Sequence, residues 1–149
     1  WPMRKLLILL LFVSFNSFGQ SYYDIMSMKD LSSFQRVMIE NGFQYDSKQS
    51  NENQKWYNAL DETKGGLYDS SIGMFSLYFS KTRLLGGVAD DTPYDEIYER
   101  VKKLCTFAKI HSIENLDYAC YKCNDAQFEG YIGFTVAEGS GLIMNTVIE

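Results

Sequence analysis

The chain aligns with itself, and that self-similarity limits the folds open to it. Phe34-Gln35-Arg36-Val37 matches Tyr98-Glu99-Arg100-Val101 at an offset of 64 positions. The same offset brings Phe43 onto Phe107, Tyr57 onto Tyr121 and Asp61 onto Asp125, and Ile72-Gly73 then matches Ile132-Gly133 at an offset of 60. A repeat of this length is one supersecondary unit, and two copies give a pseudo-symmetric domain, not a solenoid. The expected halves run over about 24–90 and 91–149.

Each half opens on an amphipathic helix. Leu31, Phe34, Val37 and Met38 recur at three to four residues and predict a helix over about 28–41. Ser27 and Asp30 supply its N-terminal cap, and Asn41-Gly42-Phe43 is a glycine stop with a hydrophobic residue behind it. In the second half Thr92 can cap, Pro93 suits the first helical position, and Asp95 and Glu96 complement the positive end of the helix dipole. Tyr94, Ile97, Val101, Leu104, Cys105 and Ala108 form its apolar stripe, while Glu99, Arg100, Lys102 and Lys103 point to water.

Strand signals fill the remainder, at 55–61, 72–79 and 83–88 in the first half and at 118–123, 128–137 and 142–148 in the second. Gly65-Gly66, Ser80-Lys81-Thr82 and Glu138-Gly139-Ser140-Gly141 read as turns, and 46–53 as a polar loop. The predicted class is α+β: a duplicated αβββ unit forming a sheet of about six mainly antiparallel strands, with both helices on one face. Phe75, Leu77 and Phe79 alternate toward that face. Their matched positions Thr135, Ala137 and Gly139 are less apolar, which calls for a slipped alignment or a β-bulge between the copies.

Ahead of this domain lies a leader. Arg4 and Lys5 precede an apolar run from Leu6 to Val13, and Ser17 and Gly19 place small residues before Gln20. This is the pattern of a secretory signal peptide over 1–19, with Met3 as initiator and Trp1-Pro2 as an extraneous extension. The run is shorter than the roughly 20 residues a membrane-spanning helix needs, so stable membrane insertion is not expected. Cleavage before glutamine resembles exported proteins of Gram-negative bacteria and implies a periplasmic or secreted protein, and no cysteine near the cut offers a lipid anchor. One mature domain, 20–149, is of a size to bury about two-thirds of its unfolded surface. The chain carries 14 basic and 19 acidic residues; losing Arg4 and Lys5 leaves 12 against 19, a net charge of −7. That balance argues against nucleic acid and favours another protein, a basic one fitting best, as partner.

An exported chain with this duplicated order of helix and strands resembles the β-lactamase-inhibitor-protein group and the related small envelope-assembly lipoproteins. The likeness covers the order of elements over the mature chain, and the anchoring cysteine of the lipoproteins is absent. It implies protein binding more readily than catalysis.

Residue chemistry gives little support to an enzyme. Cys120 and Cys123 make a Cys-x-x-Cys, but Tyr-Ala-Cys-Tyr-Lys-Cys reads as a strand, where side chains three apart face opposite sides. Structural use is expected instead, with Cys105 bridged to Cys120 or Cys123, or all three thiols reduced and buried. A small thiol-redox protein or enzyme built on Cys120 and Cys123 is the alternative. His111, the only histidine, is expected near the end of the second helix as a capping residue, and no metal or cofactor site is expected. Gly139-Ser140-Gly141 lacks the strand-turn-helix setting of a nucleophile, and the acidic pairs Asp61-Glu62, Asp90-Asp91 and Asp95-Glu96 suit turns and caps better than a glycosidase cleft.

The positive signal is aromatic. With Tyr57, Ala59, Tyr121 and Cys123 inward, Trp56, Tyr118 and Lys122 fall on the opposite face of the sheet, and Tyr131 joins them if Ile132, Phe134 and Val136 point inward. Tryptophan and tyrosine are favoured interface anchors. These four residues are the candidate protein-binding set, in an exported inhibitor, immunity protein or envelope accessory factor.

Overall fold

The computed structural model describes residues 21–80, 83–84, 87–88 and 93–147, the backbone alone at 83–84 and 87–88. The expected leader, Thr92 and the turn at Lys81-Thr82 lie outside these residues. The described chain is α+β, with three helices, a main antiparallel sheet of eight strands and a separate two-stranded ladder.

A short helix not foreseen in the sequence, α1 (Tyr22–Met26), comes first. Ser21 caps it, and Ser27 is its C-terminal residue instead of the cap of the helix that follows. The next helix, α2 (Leu31–Glu40), starts three residues later than expected because Asp30 is its cap. The Asp30 carboxylate accepts from the Ser33 backbone N–H at 2.9 Å, and Ser33 Oγ accepts from the Asp30 N–H at 3.0 Å, a reciprocal capping box. At its far end Gly42 adopts φ +83° and the Phe43 N–H reaches back to the Met38 carbonyl, which is the glycine stop expected there.

Four strands follow: β1 (Gln44–Tyr45), β2 (Gln54–Asn58), β3 (Lys64–Asp69) and β4 (Met74–Ser80). Gly65 and Gly66, expected in a turn, lie inside β3. They belong there for packing: a Cβ on Gly66 would stand 2.6 Å from Leu77 Cδ2 and 3.0 Å from Met38 Cε, so the glycine is what lets α2 settle onto the sheet. Residues 83–84 and 87–88 form a separate two-stranded ladder, β5 (Arg83–Leu84) with β6 (Gly87–Val88), and not the sheet strand expected over 83–88.

The second half begins with α3 (Pro93–Leu104) and continues with β7 (Thr106–Ile113), β8 (Leu116–Lys122), β9 (Tyr131–Ala137) and β10 (Ser140–Thr146). Strand β7 corrects two expectations. The helix stripe does not reach Ala108, because the chain turns at Cys105 and 106–113 pair with β8; and His111 lies in mid-strand opposite Tyr118, not at a helix end. Ala108 sits at a register shift between Phe107 and Lys109, a bulge that lets a helix-like apolar spacing be absorbed into an edge strand.

The sheet order is β1-β2-β3-β4-β10-β9-β8-β7. Helix-then-four-strands therefore occurs twice, and the sheet has eight strands where six were expected, because 44–45, 64–69 and 106–113 join it as strands while 83–88 does not. The two sets meet at β4 and β10, where Tyr78 faces Leu142, 64 positions apart. The match of Ile72-Gly73 to Ile132-Gly133 fails: the first pair is a turn before β4 and the second lies within β9. Likewise the partner of β4 is β10, so Phe75, Leu77 and Phe79 are not counterparts of Thr135, Ala137 and Gly139.

Register defines the two faces. Tyr57, Gly66, Leu77, Ile143, Phe134, Ala119 and Ile110 are successive cross-strand partners and form one row on the helix side. Phe34, Val37 and Met38 of α2 and Tyr94, Ile97 and Val101 of α3 bury against this side in one core. Both helices thus occupy the same face, as expected. Cys105 and Cys123 form a disulfide that ties the end of α3 to the end of β8.

Candidate functional site

The outer row of the sheet runs Trp56, Leu67, Ser76, Met144, Gly133, Cys120 and Lys109. No helix covers this side among the described residues. All four sequence-predicted site residues lie on it, but they do not form one group. Trp56 is on β2 and Lys122 on β8, five strands away, a separation of roughly 24 Å at the usual strand spacing. Lys122 and Tyr131 do come together: the ammonium stands 5.4 Å from the Tyr131 ring centroid and donates to the Gly130 carbonyl at 3.0 Å.

Tyr118 is placed differently from expectation. It is only 6% exposed and forms a second apolar cluster with Cys120 and Met144, flanked by Tyr131, Leu142 and Met74. The cause is Gly133. Having no side chain, it leaves a depression in the outer face, and a Cβ there would stand 3.3 Å from both Cys120 Sγ and Tyr118 Cβ. Tyr118 leans into that depression, covers Cys120 and is withdrawn from the surface. The outer face consequently has its own small core at β8–β9–β10 and a polar end at β2–β4. At the polar end Tyr78 donates to Asn58 Oδ1 at 2.7 Å, and Asn58 Nδ2 donates to Asp46 Oδ2 at 2.9 Å.

The cysteines separate as strand geometry requires. Cys123 belongs to the helix-side core and is bonded to Cys105; Cys120 is fully buried on the outer side, its thiol pushed up by burial. Among the described residues there is no group of three or more His, Cys, Asp or Glu side chains able to hold a metal ion. Nor is any helix among them long and apolar enough to cross a membrane.

A second feature was not foreseen. On the helix side, at the end of the sheet, a cleft of about 430 Å³ opens between the start of α2, the β3–β4 turn and the loop before β9. Ile72, Phe128 and Val147 give it apolar walls, and Lys29, Asp30 and Glu129 supply its charges. The loop is held in place by the Gln127 N–H donating to the Met26 carbonyl at 2.8 Å, by Phe128 edge-on to Phe75, and by Gly130, whose φ of +91° and close approach to Thr146 exclude a side chain. Tyr68 forms part of the wall. It is 6% exposed, and its hydroxyl makes no hydrogen bond among the described residues. Burial, and then the Asp30 carboxylate, push its pKa up, so the phenol stays neutral.

Comparison with protein families, with curated proteins and with solved structures found no match.

The cleft could not be read from the chain because its lining comes from five separate segments, each polar or turn-like by itself. The one signal in the chain is Tyr68, an aromatic two residues after Gly66 in a stretch whose paired glycines read as a turn.

Proposed function

We propose that this chain is an exported bacterial protein-binding module, acting as an inhibitor or immunity protein, that holds its partner on the outer sheet face and through its acidic loops. The observation that carries the reading is the placement of both helices on one side, which leaves an eight-strand face free of helix among the described residues. An antiparallel sheet tolerates water on one side, but Trp56 and Tyr131, half-buried there, are the residue types that anchor protein partners. The Cys105–Cys123 disulfide supports export, since such bonds persist in oxidising compartments. The repeated helix-and-four-strand order supports a duplicated unit and the resemblance to the β-lactamase-inhibitor-protein group.

Acidic charge gives such a module on-rate against a basic partner, and aromatic packing gives it residence time. The thiol-redox alternative has less to stand on: Cys120 lies in the outer cluster, while Cys123, just past β8, lies in the helix-side core and is already bonded to Cys105. A photo-crosslinking residue placed at Tyr131 in the exporting cell should capture a protein, whereas the same residue at Glu40, on the exposed side of α2, should not. Equal capture at both positions, or none at Tyr131, would remove the outer face as the binding surface.

A further inference from the structure

We infer that the cleft between α2, the β3–β4 turn and the loop before β9 seats a basic side chain of the partner protein, an arginine or lysine. Three observations converge on a ligand with an apolar stem and a cationic head. Ile72, Phe128 and Val147 offer an apolar wall of the kind that alkyl stems of lysine and arginine cover. Tyr68 stands in the cleft wall, and its hydroxyl, without a hydrogen bond among the described residues, has an oxygen that can accept an N–H from such a head. Asp30 uses Oδ1 to cap α2 through Ser33, and its Oδ2 has no partner among the described residues.

The side-chain charges on the cleft favour a cationic occupant. Asp30 and Glu129 place two carboxylates on the cleft against the single ammonium of Lys29. Asp30 is also held in its ionised form by the hydrogen bonds from Ser33. Lys29 is exposed and ends a flexible four-carbon stem, so it can swing into water when a cation enters, while Asp30 is fixed by the cap it forms. An anionic occupant would meet two carboxylates, one of them immobile.

The inference rests on the protein-binding reading only for the source of the cation, and the test keeps the two apart by using isolated probes. N-acetyl-arginine methylamide, N-acetyl-norleucine methylamide and N-acetyl-glutamate methylamide would be titrated into the folded, disulfide-bonded protein, following the amide resonances of Gly73 and Glu129. The arginine probe should give saturable shifts, with affinity near or weaker than about 1 mM as befits one anchor, and norleucine at least about fivefold weaker. Asp30→Asn, which keeps a capping residue, and Tyr68→Phe, which keeps the ring, should each weaken the arginine probe at least about threefold. Lys29→Ala should tighten it, and Glu52→Gln, in the exposed loop before β2, should leave it unchanged. Tighter binding of the glutamate probe, weakening by Lys29→Ala, or indifference to Asp30→Asn and Tyr68→Phe would each overturn the assignment. These outcomes do not depend on whether Tyr131 captures a partner.

Discussion

The ring of Tyr94 lies on Gly141: a Cβ built on that glycine would stand 2.6 Å from Cγ of the ring. Helix α3 can approach the sheet only because β10 has no side chain at this point, and Tyr94 then meets Phe134 edge-on at 5.9 Å between centroids. Gly141→Ala should push the ring aside and cost about 1 to 3 kcal/mol, as overpacking a core does. Urea unfolding would measure it; an unchanged midpoint would show that α3 does not dock through this contact.

Asn145 does a strand's work with its side chain. Buried on the helix side of β10, it accepts the Phe75 N–H at 2.6 Å where β4 and β10 stop pairing directly. Asn145→Ala leaves that N–H buried and unpaired, so stability should fall by about 1 to 3 kcal/mol. The specific signature is faster hydrogen exchange at the Phe75 amide, and retention of its protection would refute the role.

Thiol chemistry should report the cysteine arrangement. The folded protein should react negligibly with a thiol reagent at neutral pH, since Cys120 is buried and its pKa raised, and unfolding without reductant should release one reactive thiol. Replacing Cys105 and Cys123 together by alanine should cost about 3 kcal/mol, because the bond closes a loop of intermediate length in the unfolded chain. Two or more thiols appearing on unfolding would contradict the pairing.

Tyr121 predicts an alkaline transition. Burial, and then the hydrogen bond with Tyr98, push its pKa up to about 12 from an ordinary value of 10. The unfolded chain gives up this proton before the folded one does. Its contribution to stability is therefore complete below pH 10, declines above it and is lost as pH passes about 12. Denaturation midpoints across that range should fall, and Tyr121→Phe should flatten the fall; an equal slope in the variant would assign it to other tyrosines.

Mass spectrometry of the protein recovered from an exporting bacterium should find Gln20 as the first residue, cyclised in part, because Ser17 and Gly19 suit a signal-peptidase cut there. A mature form that keeps Leu6 to Val13 would defeat the proposed export.

Periodicity and caps alone determined a good deal. The two main helices, the Gly42 stop, the inward set Phe75, Leu77 and Phe79, and the opposed faces of Cys120 and Cys123 all follow from spacings of 3.6 or 2 that local sterics enforce. So does the side of the sheet on which Trp56, Tyr118, Lys122 and Tyr131 lie. What the chain could not declare is whatever depends on a neighbour distant in sequence. Gly65 and Gly66 look like a turn until α2 is laid over them, and the helical stripe runs on to Ala108 until β8 offers 106–113 its hydrogen bonds. Tyr118 is an exposed anchor by alternation, and a buried one because Gly133, on another strand, leaves it a hollow. The choice of Cys123 over Cys120 as partner of Cys105, and the assembly of Asp30, Tyr68, Phe128 and Val147 into one cleft, were likewise decided by tertiary structure. Local spacing sets which way a side chain points; only packing sets what it meets there.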